Sequence, residues 1–331
     1  MTTLSDNAAT LVGPGRGILA ADESISTMSK RLEAAGVAAS ETSRRDYREV
    51  LLTGPGLSRW VSGIILCDET LRQSLRDGTP VPVAATALGI MPGIKVDTGV
   101  VPLPNTDGET ITQGLDGLAA RMEQYAAIGA VFAKWRAVLY PAKLSPRAIH
   151  ANAHSLARYA AICQEAGIVP IVEPEVLMDG DHSLAVAAVA TSNTLHAVFE
   201  ELDKMGVDRR GIVLKPNMVI AATGHRDQTT PEDVASHTVA VLRDAVPADV
   251  PGIAFLSGGQ SNERACDNLA AINREAATSD VSWRLTFSFG RALVDDALRA
   301  WHGQDENKAR AQEALAANCA RASAASDAGR K

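Results

Sequence analysis

Charged residues stand where the apolar strands of this sequence end. The stretch Gly211-Ile-Val-Leu-Lys215-Pro216-Asn217 reads as a short apolar β-strand, bounded by Gly211 and Pro216, that terminates on a lysine. A run of this kind suits a strand buried on both faces of a parallel sheet, and an ammonium at its end must be paired, hydrated or partly deprotonated. One isolated lysine there would simply reach water. Lys215 is not isolated, because comparable strand ends carry Asp22, Lys95, Asp97, Lys134, Arg136, Glu173, Glu175, Asn217, Ser257 and Ser288. Side chains alternate along a strand, so Lys134 with Arg136, Glu173 with Glu175 and Lys215 with Asn217 are each expected on one face.

Crowding by Lys95, Lys134 and Arg136 would lower the pKa of a neighbouring ammonium and free an amine to attack a carbonyl. Ser257-Gly258-Gly259 and Gly290-Arg291 follow the last two predicted strands, where glycines admit backbone N–H groups to anionic oxygens and an arginine supplies a bidentate clamp. A phosphorylated ketone or aldehyde fits both features. Metal chemistry is the rival, and the histidines test it. His150, His154, His196 and His237 fall on predicted helices, His182 and His225 in or beside loops, and His302 near the tail. The His150/His154 pair has i, i+4 spacing but no His-Glu-x-x-His pattern. The expectation is an amine catalyst without a metal.

Strands are predicted at 17–21, 61–66, 93–97, 130–136, 168–175, 211–215, 252–257 and 284–289, each followed by a helical pattern. A Gly/Pro-rich loop follows the third. Ser145-Pro146 and Thr230-Pro231 are helix starts, and Gly36, Gly167 and Gly206 are stops. The predicted strand ends Asp97, Arg136, Glu175, Asn217 and Ser257 recur 39, 39, 42 and 40 residues apart. No Gly-x-Gly-x-x-Gly turn follows the first strand and there is no Walker loop, which disfavours an open doubly wound sheet. The expected fold is α/β: one (β/α)8 TIM barrel over 1–331, with extra N-terminal and C-terminal helices and a helical tail from about 304 to 331. Its active site would lie at the C-terminal ends of the strands.

The 331 residues are 46% hydrophobic and 21% charged, with a net charge of −7, which fits a globular core and excludes a basic nucleic-acid-binding surface. Cys67, Cys163, Cys266 and Cys319 form no Cys-x-x-Cys pair and are expected as free thiols. No stretch reads as a signal peptide or membrane span, so a cytoplasmic location without a membrane partner is expected.

Seven motifs carry a family resemblance: Gly17-Ile-Leu-Ala-Ala-Asp-Glu-Ser24, Gly93-Ile-Lys-Val-Asp97, Phe132-Ala-Lys-Trp-Arg136, Val169-Pro-Ile-Val-Glu-Pro-Glu175, Leu214-Lys-Pro-Asn-Met218, Phe255-Leu-Ser-Gly-Gly-Gln-Ser261 and Leu285-Thr-Phe-Ser-Phe-Gly-Arg291. In this order, from about residue 12 to 315, they resemble class I fructose-1,6-bisphosphate aldolase. The resemblance implies a metal-independent lyase of glycolysis and gluconeogenesis, without a cofactor and usually homotetrameric. It would cleave fructose 1,6-bisphosphate to dihydroxyacetone phosphate and glyceraldehyde 3-phosphate. Lys215 would form the Schiff base, Glu173 would be the acid/base for carbinolamine dehydration, Asp22 the base toward the C4 hydroxyl, and Lys134 the cation that sets neighbouring charges. Ser257, Gly258, Gly259, Ser288, Gly290 and Arg291 would hold one phosphate. Ser24, Thr27, Arg31 and Lys95, with Arg136 and Glu175, would serve the rest of the sugar. A related Schiff-base aldolase for fructose 1-phosphate or sedoheptulose 1,7-bisphosphate would use the same residues, and a noncatalytic sugar-phosphate sensor is the other alternative, although it would have no need of Lys215 with Glu173 and Asp22.

Two features depart from the pattern. The usual Asp-Glu-Ser-Thr-Gly-Ser is here Asp22-Glu-Ser-Ile-Ser-Thr27, which keeps a hydroxyl but stiffens the backbone. The best-known members end in a flexible tail with a terminal tyrosine that exchanges a proton with the enamine. This sequence ends Ala328-Gly329-Arg330-Lys331, and Tyr47, Tyr125, Tyr140 and Tyr159 lie far upstream. Another group, Glu173 or the substrate phosphate, is expected to take that role.

Overall fold

Eight parallel strands close into a barrel in the computed structural model, which describes residues 2–226 and 229–329. In order they are Gly17–Ala21, Val61–Leu66, Met91–Lys95, Phe132–Leu139, Val169–Val176, Val213–Leu214, Gly252–Phe255 and Arg284–Phe289. Each pairs with its sequence neighbours, and Ile18 opposite Ser288 joins the eighth strand to the first. Helices on the outside return the chain from one strand to the next, as parallel pairing requires. Their starts follow local chemistry. Ser145 caps the Pro146–Glu165 helix, and Thr230 forms a capping box with Asp233 ahead of Pro231–Ala245.

Several boundaries differ from the sequence reading, and the seventh strand stops at Phe255, short of Ser257. The third strand stops at Lys95, leaving Asp97 in the following loop. The fourth runs on to Leu139, so that Arg136 is interior to it, and the sixth is only two residues long. The near-constant spacing therefore does not mark the strand termini themselves. The Gly/Pro-rich loop after the third strand holds an antiparallel hairpin, Val100–Pro102 with Thr110–Thr112. Its alternation is too short, and too broken by Pro102, Pro104 and Gly108, to read as strands.

Inward-facing side chains fill the barrel. Ile18, Ala20, Ile65, Phe132, Val169, Ile171, Val213 and Ala254 form one apolar cluster, which Ala8, Leu11 and Val12 of the N-terminal segment plug from below. The Leu4–Leu11 helix is thus the extra N-terminal element. Continuing along the same inward faces, with period two, Ala20 leads to Asp22, Phe132 to Lys134 and Arg136, Ile171 to Glu173 and Glu175, and Val213 to Lys215. The lower barrel is oily and the mouth is charged.

A Cβ on Gly93 would lie 2.3 Å from the buried Phe132 ring. Gly93→Ala is therefore expected to cost roughly 1–3 kcal/mol through overpacking, seen as a lowered melting temperature by calorimetry.

The Lys308–Ser326 helix packs on the eighth strand and on the Arg291–Trp301 helix. Beyond it Asp327 accepts from the Gly15 N–H at 3.0 Å, and Ser323 donates to the Gly15 carbonyl at 2.6 Å. Gly15 precedes the first strand, so this part of the tail is fastened at the end of the barrel opposite the mouth. Arg330 and Lys331 lie outside the described residues.

Candidate active site

Lys215 reaches the mouth from the short sixth strand, whose hold on the fifth ends with the Lys215 N–H donating to the Val172 carbonyl at 2.8 Å. Its Nζ lies 3.1 Å from Glu173 Oε1. Glu173 Oε2 lies 3.3 Å from Lys134 Nζ and accepts no hydrogen bond from a described residue. Lys134 in turn sits 2.8 Å from Asp22 Oδ2 and 4.0 Å from Asp97 Oδ2. Lys134, Glu173 and Lys215 are each only 4% exposed. Two ammoniums and three carboxylates are thus interleaved in a site that is mostly dry.

Burial alone would favour the neutral forms. For Asp22 it is outweighed by Lys134, Lys215 and Lys95, and the carboxyl is held down at about 2. Burial of Glu173 is likewise outweighed by Lys134, Lys215 and Arg136, which pull it below the usual glutamate range. Burial of Lys134 is overcome by Asp22, Glu173 and Asp97, so its ammonium is held well above the ordinary lysine range. The sequence predicts cations crowding one another; the structure instead alternates the signs. Lys134 is a fixed positive charge, and a base to relieve Lys215 of its proton stands in contact as Glu173.

The cleft has two adjoining recesses of about 440 and 590 Å³, which share Asp22, Glu23, Thr27, Lys134 and Arg136. The first holds Lys215 and Glu173 together with Arg31, Glu175, Ser257, Gly258, Gly259, Ser288, Gly290 and Arg291. Gly258 and Gly259 take φ of +55° and +90°, and a Cβ on Gly258 would overlap Met178. Gly290 immediately precedes the Arg291–Trp301 helix, so a helix N-terminus faces the recess. Ser288 Oγ is buried there without a hydrogen-bond partner among the described residues. These donors converge as an anion would require. Arg291→Ala should raise KM for a phosphorylated substrate roughly 10- to 100-fold, the loss of one charge-assisted contact, in steady-state assays.

The second recess contains Ser24, Thr27 and Lys95. Ser24 caps the Ile25–Ala34 helix, accepting from the Thr27 N–H at 3.2 Å and donating to Thr27 Oγ1 at 3.0 Å. Lys95 Nζ is 2.5 Å from Asp97 Oδ1. Arg31 is paired with Glu23 and with Asp295, and Arg136 with Glu175. Every residue singled out from the sequence for this site, Asn217 apart, lines one recess or the other.

The structure adds Glu23 and Ser26, and it ties Asp97 to both Lys95 and Lys134. Ser26 stands where the resemblance expects glycine, and its Oγ lies 3.1 Å from Ser24 Oγ, within the recess. Glu23 joins Arg31 to Arg48. Its place beside Asp22 is the only signal for it in the sequence. Asn217 is a correction. It does not share the mouth with Lys215, because the strand ends before Pro216 and alternation no longer applies. The Asn217 amide turns instead toward Thr191 on the Leu184–Lys204 helix. No described histidine lines the cleft, nor does any of the four tyrosines. All four cysteines are free, three of them buried.

A closed eight-stranded α/β barrel with a buried lysine–carboxylate cluster and an anion cradle in its mouth defines an enzyme of the amine-catalyst kind. The sequence model of the fructose-bisphosphate aldolase class-I family matches residues 3–330, and the chain belongs to that family. It is 50% identical over 315 residues to the cytosolic fructose-bisphosphate aldolase 6 of Arabidopsis thaliana, covering 95% of this chain and 87% of that protein. It is 51% identical over 313 residues to human fructose-bisphosphate aldolase C, covering 94% and 85%. A solved structure of the aldolase from Plasmodium falciparum superposes with a TM-score of 0.95 at 46% identity, covering 99% of this chain and 95% of that one. Family and fold make the protein a class I, metal-independent lyase. No helix among the described residues is long and apolar enough to cross a membrane.

Proposed function

We propose that this one barrel unit cleaves fructose 1,6-bisphosphate reversibly through an imine on Lys215. The observation that carries the assignment is the 3.1 Å contact between Lys215 Nζ and Glu173 Oε1 in a buried site. Glu173, ionised in the free protein, takes the proton of the Lys215 ammonium, and the amine adds to the C2 ketone. Glu173 then returns a proton to the carbinolamine hydroxyl, which leaves as water and gives the iminium. Asp22 takes the C4 hydroxyl proton, the C3–C4 bond breaks, and its electron pair moves into the iminium as glyceraldehyde 3-phosphate departs. Protonation of the resulting enamine at C3 and hydrolysis of the imine release dihydroxyacetone phosphate.

Lys134 favours the ionised forms of Asp22 and Glu173 before substrate binds, so that each is ready to take up a proton in its own step. Ser257, Gly258, Gly259, Ser288, Gly290 and Arg291 bind one phosphate. Ser24, Thr27, Arg31 and Lys95 serve the other end of the sugar, and the ion pair of Arg136 with Glu175 borders the reacting carbons. The enamine proton comes from Glu173 or the substrate phosphate. The same reading includes a cytoplasmic location and a homotetramer.

The test is borohydride reduction in the presence of dihydroxyacetone phosphate and a chelator, followed by peptide mass spectrometry. One reduced adduct on Lys215 is expected. An adduct on another residue, or none from folded protein that binds the ligand, overturns the assignment.

A further inference from the structure

The strand that carries the nucleophile is the most weakly paired in the barrel. Its ladder with the fifth strand consists of Ile171 opposite Val213 and Val172 opposite Leu214. Continuing that register puts Glu173 opposite Lys215, then Pro174 opposite Pro216. Pro174, whose backbone faces the sixth strand, has no N–H to give to the Lys215 carbonyl, so the ladder ends at the two residues whose separation matters most to imine chemistry.

One side chain takes over beyond the gap. Asn217 Oδ1 accepts from the Val176 N–H of the fifth strand at 3.1 Å, where a ladder bond would otherwise be. Asn217 Nδ2 donates to Thr191 Oγ1 at 3.1 Å and to the Met218 carbonyl at 3.2 Å. Thr191 and Asn217 are each 2% exposed. Contact with the Thr191 hydroxyl and the Met218 carbonyl fixes the amide so that its oxygen, not its nitrogen, meets Val176. On its other side the sixth strand is held by the Leu256 N–H donating to the Pro216 carbonyl at 3.1 Å.

We propose that Asn217, oriented by Thr191, is a positioning residue: it replaces the ladder that Pro174 interrupts and so sets the distance between Lys215 and Glu173. The inference rests on Lys215 and Glu173 reacting as assigned above. Its consequence is selective, since the phosphate cradle hangs on the seventh and eighth strands and does not depend on this brace. A loosened brace should slow proton transfer and imine formation while leaving ligand affinity in place.

The experiment measures the rate of borohydride-trapped adduct formation with saturating dihydroxyacetone phosphate across pH, alongside the Kd for that ligand. Asn217→Ala is expected to slow trapping roughly 30-fold, with Kd unchanged within about twofold. Thr191→Val, which removes only the hydroxyl, is expected to slow it several-fold, and Thr191→Ser to restore it. Trapping at the parent rate in a folded Asn217→Ala protein overturns the proposal, as does an equal loss of affinity and rate. Should Asn217→Ala not fold, the threonine pair decides, and an unaltered rate in Thr191→Val overturns it. Absence of adduct in the parent protein itself would instead strike at the assignment of Lys215.

Discussion

Replacing Lys215 by methionine is expected to leave a folded protein whose turnover of fructose 1,6-bisphosphate is lower by at least roughly 10⁴-fold, the scale on which loss of a covalent nucleophile is felt. Methionine nearly keeps the volume of the lysine stem, so the packing of the sixth strand against its neighbours survives. What changes is the charge beside Glu173. Removing one partner of a buried ion pair can cost about 3–5 kcal/mol. Here the cost should be smaller, because Glu173 Oε2 still lies 3.3 Å from Lys134 and Arg136 also acts on it. The phosphate cradle lies on other strands, so binding of dihydroxyacetone phosphate should persist while the reduced adduct disappears. The informative combination is therefore retained affinity, no trapped adduct and collapsed turnover. Turnover within tenfold of the parent protein would remove Lys215 from the mechanism.

Much of this site is legible in the inward faces of the strands. Val213-Leu-Lys215, Phe132-Ala-Lys-Trp-Arg136 and Ile171-Val-Glu-Pro-Glu175 each show apolar residues giving way to charge at period two. Strand geometry then fixes which side chains meet. The signs of the neighbours are harder to place. Lys95, Lys134 and Arg136 suggest mutual repulsion in one dimension, whereas packing sets Asp22, Asp97 and Glu173 between them, and distances of about 3 Å decide the electrostatics. Asn217 fails as a mouth residue for a different reason. Alternation is a property of a continuing strand, and Pro216 ends that strand. The hairpin at Val100–Pro102 and Thr110–Thr112 is hidden because three-residue strands among glycines and prolines carry too little periodicity. The Leu4–Leu11 helix can be expected from sequence only as an unplaced N-terminal addition, since its role as the plug of the barrel depends on contacts distant in sequence.

Lys134→Met should lower turnover by roughly 10²- to 10⁴-fold and move the acid limb of the pH–rate profile to higher pH. The direction follows from the balance of forces at the buried carboxyls. Burial pushes Asp22 and Glu173 up, and Lys134 is the largest of the opposing influences on both. Without it burial gains weight, both carboxyls take up protons at higher pH, and the ionised bases are lost sooner on acidification. Stability follows the same sign. Asp22 titrates at about 2 when folded against an ordinary value of 3.8. Its contribution, on the order of 2 kcal/mol, is present above pH 3.8 and is lost as pH falls toward 2. In the Lys134→Met protein that contribution shrinks or reverses, so acid unfolding should begin at higher pH. Denaturant titrations at pH 7 and pH 4, with pH–rate profiles for both proteins, measure the two effects separately. An acid limb that stays in place while turnover falls would show Lys134 acting on the substrate directly, and not through the charges of Asp22 and Glu173.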